Sequence, residues 1–201
     1  QPNLLRVLYM TNTSDPLLKS RRFLPMFFTQ FFGAFNDNIY KYALLMVITY
    51  GWIDRGNLDI SLLNNIAALL FILPFFIFSA TAGQIADHYE RSQLIRWLKL
   101  SEIGIMILAT IGFFMGNMWL LIFALFLMGT QSAFFGPIKY AVLPKILNEH
   151  ELMTGNAIFQ SGTSIAILLG MVIGGIIISF SEGNMVFITS TLLFVSCLGY
   201  I

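Results

Sequence analysis

Acidic, basic and amide side chains interrupt an apolar segment near the start of the chain, FFGAFNDNIYKYALLMV at 31–47. Within it a carboxylate, Asp37, stands four residues before an ammonium group, Lys41. Side chains four residues apart lie on one face of a helix, and the acid-first order favours an ion pair. Because a charged side chain at the centre of a bilayer costs on the order of 3 kcal/mol, this face must meet protein or water. The chemistry that it offers is the binding of charged groups.

Two interpretations of this polar stripe remain open. Either Asp37 and Lys41 neutralise each other and hold the helix against its neighbours, or the stripe lines a polar cavity for a charged ligand. Ionisable residues inside a membrane are functional candidates by default, which favours the cavity. Gln30, Gly33 and Ala34 fall on the same stripe. The candidate substrate-binding residues of this segment are Gln30, Asn36, Asp37, Asn38 and Lys41.

The composition is that of a membrane protein. Of 201 residues 57% are hydrophobic and 10% are charged, whereas soluble domains carry about 25% charged residues. About 20 apolar residues cross the hydrocarbon core as a helix. We therefore predict an all-α, polytopic transmembrane helix bundle, with no room for a soluble catalytic domain. The helices are expected near 23–50, 62–86, 94–115, 118–138, 155–180 and 185–201.

The distribution of basic residues predicts the orientation. Arg55 is alone on one side of the expected helices, while the other side holds Arg6, Lys19, Arg21, Arg22, Arg91, Arg96, Lys99, Lys139 and Lys145. Lys and Arg accumulate on the cytoplasmic side. Residues 1–22 are therefore expected to form a cytoplasmic N-terminal tail, and residues 23–201 the bundle. The chain stops within an apolar run, FVSCLGYI, so we expect it to be truncated at its C-terminus.

Several functional classes are not supported by the sequence. A net charge of +1 with dispersed basic residues argues against a nucleic-acid partner. Two histidines and one cysteine give no metal-ligand spacing, and no glycine-rich phosphate loop is present, so no metal and no cofactor are expected. A phospholipid acyltransferase needs Asp at the fifth position after His, but Gln93 follows His88 and Gly155 follows His150 there. We do not expect an enzyme.

Three further segments carry candidate residues. In the fourth helix Pro137 favours a bend, after which Lys139 either snorkels to lipid phosphates or binds an anionic group. In the third helix Lys99 and Glu102 are explained by snorkelling and local ion pairing near the cytoplasmic end. Small residues recur every four positions in the fifth helix and predict close helix packing. These are Gly162, Ala166, Gly170 and Gly174.

The turn after the second helix, GQIADHYERS at 83–92, resembles the loop between helices two and three of the major facilitator superfamily, G-x-x-x-D-R/K-x-G-R/K-R/K. Gly83, Asp87 and Arg91 match, whereas His88 replaces the first basic residue and Glu90 the glycine. That loop is a conformational latch in the superfamily. The resemblance therefore implies this role for the three matching residues, with the glycine allowing a neighbouring helix to approach closely.

The order of GAFNDN, GQIADHYERS, FFGPIKYAVLPKIL, TGNAIFQSGTSIAILLG and VIGG over about 23–180 resembles the lysophospholipid transporter (LplT) family of that superfamily. The resemblance implies the N-terminal six-helix half of a transporter that imports lysophosphatidylethanolamine-like lipids across the bacterial inner membrane for reacylation. It places Asp37 and Lys139 in the headgroup pathway. Implied partners are membrane lipids, the missing C-terminal six-helix half and, in some bacteria, a fused acyltransferase. Alternatives are a carrier of another small solute or drug, and the membrane anchor of a fused phospholipid acyltransferase.

Overall fold

The computed structural model describes residues 17–54, 56–181 and 184–200. Secondary structure among these residues is helical, without strands, which confirms the predicted all-α bundle. Short 3-10 turns, Leu17–Lys19 and Glu149–Glu151, precede α1 and α5. The α-helices of the described residues are α1 (Leu24–Tyr50), α2 (Ile60–His88), α3 (Arg91–Met115), α4 (Met118–Ile146), α5 (Leu152–Ser181) and α6 (Met185–Leu198).

Local sequence signals define many of the helix ends. The side chains of Asp59, Asn117 and Asn184 each accept a backbone N–H bond from the first turn of α2, α4 and α6. These bonds satisfy donors that the start of a helix leaves free. Gly51 and Gly116 follow α1 and α3 with φ of 69° and 62°, a left-handed conformation that glycine adopts without strain. Short connections between the helices follow from these caps.

The helices have the dimensions of a membrane-spanning bundle. The helices α2, α3, α4 and α5, the last with its preceding turn, are long and apolar enough to cross a membrane. With 27 residues, α1 is about 40 Å long, which exceeds the hydrocarbon thickness of about 30 Å, but it carries the polar stripe. In the described range α6 has 14 residues. The protein is therefore a multi-pass membrane protein.

The fourth helix is longer than the sequence predicted. We expected it to end near residue 138, after Pro137, but α4 continues through Pro137 and Pro144 to Ile146. A proline removes one backbone hydrogen bond, and membrane helices tolerate that loss because neighbouring groups compensate for it. Lys139 therefore projects from within a continuous helix rather than from a broken end.

Helix α1 is packed closely against α5, while α2 packs against α4, and α3 against α4 and α6. The small residues of α5 make the first contact tight: a Cβ on Gly170 would lie 2.7 Å from the backbone oxygen of Phe35, and one on Gly174 3.0 Å from that of Ile39. The stripe on α5 consists of Gly162, Ala166, Gly170 and Gly174, of which Gly162 lies against the Phe27 ring and Ala166 is fully buried. This seam fixes the position of α1, which carries the candidate binding residues.

A glycine that the sequence analysis did not single out joins α2 to α4. A Cβ on Gly129 would lie 2.3 Å from the backbone oxygen of Phe71, so the two helices meet backbone to side-chain-free backbone. Only glycine permits an approach of this kind. The contact brings the aromatic side of α2 next to the polar part of α4.

Candidate functional site

A cavity of about 320 Å³ lies between α1, α2, α4 and α5. We call it the central cavity. Five of the residues predicted from the sequence line it: Gln30, Asp37, Asn38, Lys41 and Lys139. The structure therefore brings the stripe of α1 and the lysine of α4 to one space.

The carboxylate of Asp37 is buried, with 7% of the residue exposed, but only half satisfied. The hydroxyl of Ser132 donates to Oδ2, and Oδ1 has no hydrogen-bond partner among the described residues. The ion pair expected from the spacing with Lys41 is not formed in the described part of the chain. Lys41 instead places its ammonium nitrogen 5.1 Å from the ring centroid of Phe71 and 5.3 Å from that of Tyr42.

The second predicted lysine is likewise without a carboxylate. Lys139 is half-buried, and its ammonium nitrogen lies 5.1 Å from the ring centroid of Tyr140. The ion pairs of the described residues are Arg22–Glu151 and Lys99–Glu102, and neither involves Lys41 or Lys139. Unpaired charges are costly in a low-dielectric interior. An anionic group entering the cavity would offset that cost.

The amides of the stripe have different partners. The Nδ2 group of Asn38 donates to the Ala34 carbonyl of its own helix at 2.8 Å, while its buried Oδ1 has no partner within the described residues. The Nε2 group of Gln30 donates to the hydroxyl of Thr163 at 3.3 Å, which links α1 to α5 at the cavity wall. Asn38 therefore offers a free acceptor near Asp37.

The structure places Asn36 elsewhere, which corrects its assignment to the binding residues. Asn36 is fully buried and does not line the central cavity; its Nδ2 group donates to Glu102 Oε1 at 3.3 Å. Consecutive side chains of a helix point about 100° apart, so Asn36 and Asp37 cannot face the same space. Asn36 joins α1 to α3.

A buried ion pair was missed in the sequence analysis. The ammonium nitrogen of Lys99 lies 2.7 Å from Glu102 Oε2, and the two side chains are 3% and 1% exposed. We expected both residues to reach lipid headgroups or water, but they lie inside the bundle. Room for Lys99 comes from Gly33, since a Cβ there would lie 2.8 Å from the ammonium nitrogen. The i, i+3 spacing well inside α3 is the signal that might have been used.

Aromatic side chains form the apolar part of the cavity wall. Phe71 and Phe75 of α2 and Phe135 of α4 line it together with Ile167 of α5. Ligand sites combine a mostly apolar wall with a few polar groups. This wall, a carboxylate and two lysines suit a ligand that carries opposite charges and an apolar part. No group of His, Cys, Asp and Glu side chains in the described ranges is placed to hold a metal ion.

Comparison with known families places the chain. The family model described as Major Facilitator Superfamily matches residues 26–201. The chain belongs to this superfamily. In the superfamily fold, substrate sites lie near the middle of the membrane between two halves, which agrees with the position of the central cavity within α1 and α4.

Curated relatives of the chain are named lysophospholipid transporter LplT. The protein of Pectobacterium carotovorum is 29% identical over 167 residues, 83% of this chain and 38% of the relative. Those of Yersinia enterocolitica and Serratia proteamaculans are 26% and 28% identical, covering 85% and 82% of this chain and 39% and 38% of the relatives. The chain thus spans less than two fifths of the length of these relatives. No solved structure matches the chain.

The residues of the superfamily latch lie at the turn between α2 and α3. Asp87 and Arg91 line a hollow of about 410 Å³ together with Glu90 and Lys145. Within the described residues Asp87 has no ion-pair partner, and the buried Nε of Arg91 has no hydrogen-bond partner. The close helix approach expected at Gly83 is not made here, because a Cβ on it would meet nothing within 4 Å. Their latch role stays a prediction.

Proposed function

We propose that this chain is the N-terminal six-helix half of a transporter that moves lysophospholipids, such as lysophosphatidylethanolamine, across the bacterial inner membrane for reacylation. The proposal rests on one observation: Asp37 and Lys139 line the same partly aromatic cavity. The names of the curated relatives point to the same substrate class.

The headgroup of lysophosphatidylethanolamine complements the charges of the cavity. Its ammonium group would approach the free Oδ1 of Asp37, and its phosphate would approach the ammonium group of Lys139. Hydrogen bonds between ionised groups are stronger than those between neutral groups. A zwitterionic headgroup therefore satisfies a carboxylate and a lysine that have no ion-pair partner in the described chain.

The apolar part of the substrate has a matching surface. Phe71, Phe75 and Phe135 line the cavity beside the polar groups, and they offer contact area to the start of an acyl chain. A cavity of about 320 Å³ is small for a whole lysolipid, so we propose that it holds the headgroup while most of the chain stays in lipid.

Transport would need partners beyond this chain. We propose that a second six-helix half completes the substrate site and that the two halves rock to give alternating access. We place the N-terminus in the cytoplasm. Lys99 and Lys139 lie inside the bundle and do not count for orientation, but the remaining basic residues keep the same bias. A fused acyltransferase belongs to the same proposal, since reacylation would consume the imported lipid.

Uptake of labelled lysophosphatidylethanolamine by spheroplasts tests the proposal with the full-length protein. We expect Asp37→Asn and Lys139→Ala each to lower uptake about tenfold or more, since each removes one charge-assisted contact. Matched controls are Asp54→Asn and Lys19→Ala, which change the same charges at exposed positions. If both cavity variants take up lysolipid as the controls do at equal expression, the proposal is wrong.

The same assay separates this substrate from another small solute or a drug. Unlabelled lysophosphatidylethanolamine should compete with the labelled lipid in the wild type. It should also inhibit the transport of any second compound that the protein carries through the same cavity. A carrier specific for another solute would be indifferent to added lysolipid.

A further inference from the structure

A second hollow, also of about 320 Å³, lies at the end of the bundle where α1 and α3 begin and α4 ends. We call it the end hollow. Its walls combine apolar side chains, such as Met26, Ile95 and Val142, with the hydroxyls of Ser92 and Tyr200. It therefore offers hydrogen-bond donors beside an apolar surface.

The charges around the end hollow are basic. Arg22, Arg96 and Lys99 line it, and no acidic side chain of the described residues is part of the lining. Arg22 is bound to Glu151 and Lys99 to Glu102, whereas Arg96 has no ion pair within the described ranges and is exposed. A guanidinium group presents a planar fork of N–H donors that matches phosphate oxygens. Arg96 is thus available for an anionic ligand.

The end hollow and the central cavity share part of their walls. Thr29 and Lys99 line both spaces. Two glycines give the ammonium group of Lys99 its position, because a Cβ on Gly33 would lie 2.8 Å from Nζ and one on Gly199 3.1 Å from it. The lysine therefore stands at the boundary, bound to Glu102, with one side toward each space.

We propose that the end hollow is a second binding station for the phosphate group of the transported lipid, in which Arg96 holds the phosphate and Lys99 forms the boundary with the central cavity. The inference rests on the proposed function, since it assumes a lysophospholipid substrate. The apolar wall of the hollow accommodates the part of the lipid next to its headgroup. A substrate would then pass between two cationic sites instead of one.

Transport kinetics test the role of Arg96 in the full-length protein. We expect Arg96→Gln to raise the KM for lysophosphatidylethanolamine about tenfold, because a charge-assisted contact to phosphate is lost. Arg21→Gln is the matched control: it removes the same charge from an exposed position that lines neither space. A KM of Arg96→Gln equal to that of the control overturns the proposal.

Chemical protection tests binding directly. In a background where Cys197, which is exposed, and any further cysteine are serine, Ser92→Cys places a thiol in the end hollow. Lysophosphatidylethanolamine should slow its reaction with a maleimide, and monoacylglycerol, which lacks phosphate, should not. Ser101→Cys, at an exposed position of the same helix outside the hollow, should show no protection.

The outcomes separate the station from the central cavity. Equal protection by monoacylglycerol excludes phosphate recognition, and protection by inorganic phosphate without protection by lysolipid shows an anion site off the lipid route; both overturn the proposal. If Asp37→Asn abolishes uptake while Arg96→Gln behaves as Arg21→Gln, the proposed function stands and the station fails. If Asp37→Asn leaves uptake intact, the function of the central cavity fails, and protection of residue 92 still reports on the hollow.

Discussion

The two carboxylates beside α1 are held in opposite ways. Glu102 binds the ammonium group of Lys99 and accepts a hydrogen bond from Asn36, so both of its oxygens have partners. Asp37, on the neighbouring side of α1, receives the hydroxyl of Ser132 on one oxygen and nothing from the described residues on the other. One carboxylate is committed to structure and the other is half free.

This difference suggests how a membrane bundle separates stability from binding. A buried ion pair with a further hydrogen bond joins helices, and removing one partner leaves an uncompensated charge. A carboxylate that lacks a cation adds little to the folded state but is ready for a cationic ligand. The comparison predicts that variants of the two groups will differ in whether they affect folding or uptake.

The largest effect on stability is expected from Glu102→Ala. It leaves Lys99 buried without its partner, which costs about 3–5 kcal/mol in comparable sites. It also removes the acceptor of Asn36. Thermal unfolding of the full-length protein in detergent measures the change. Glu149→Ala is the control, because Glu149 is exposed and makes no ion pair within the described chain.

A double variant decides whether the lost stability is due to the unpaired charge. Lys99→Met combined with Glu102→Leu replaces the pair by apolar side chains, which is often neutral or stabilising. We expect it to recover most of the stability that Glu102→Ala loses. A double variant no more stable than Glu102→Ala would show that the charge pair itself holds the helices.

A smaller loss of stability is expected from Gly170→Ala on the other side of α1. Its Cβ would lie 2.7 Å from the backbone oxygen of Phe35 and 2.9 Å from Asn38 Cβ, and overpacking of this kind costs about 1–3 kcal/mol. Gly175→Ala is the matched control, because its Cβ meets nothing within 4 Å. The same unfolding assay compares them, and equal melting temperatures would contradict the tight α1–α5 seam.

The overall fold and the side of α1 that faces the cavity were predictable from the sequence. Apolar length set the number of helices, and the spacing of Gln30, Asp37 and Lys41 set one helical face, which is a local property of the chain. The structure places these three side chains in one cavity, as that spacing predicts. Lys139 joined them because the resemblance, not the spacing, connected α4 to α1.

What the sequence did not reveal depends on contacts between distant segments. Asn36 was grouped with Asp37 although adjacent residues diverge on a helix, and only its contact with Glu102 shows its partner. The length of α4 depends on whether neighbours compensate for Pro137 and Pro144, which local propensity does not report. Lys99 looked like a surface residue because Gly33, 66 positions earlier, supplies the space it occupies.

A still smaller effect is expected at the ion pair outside the central region. Arg22 Nη2 lies 2.8 Å from Glu151 Oε1, but the arginine side chain is 45% exposed. Solvent screens such a pair, so Glu151→Gln should lower the melting temperature less than Gly170→Ala does. The difference from wild type should narrow as salt rises, since screening shortens with ionic strength. A loss that is independent of salt would contradict this account.

The smallest change in stability is expected from Asp37→Asn, the direct counterpart of the Glu102 variant. The amide keeps the shape of the side chain and an oxygen that accepts from Ser132, and no ion pair of the described residues is broken. We expect the unfolding free energy to stay within about 1 kcal/mol, because only a neutral hydrogen bond differs. Uptake should nevertheless fall, since the ammonium group of the substrate loses its counter-charge. If Asp37→Asn instead unfolds the protein as Glu102→Ala does, the two carboxylates are structurally equivalent and the division between holding and binding does not exist.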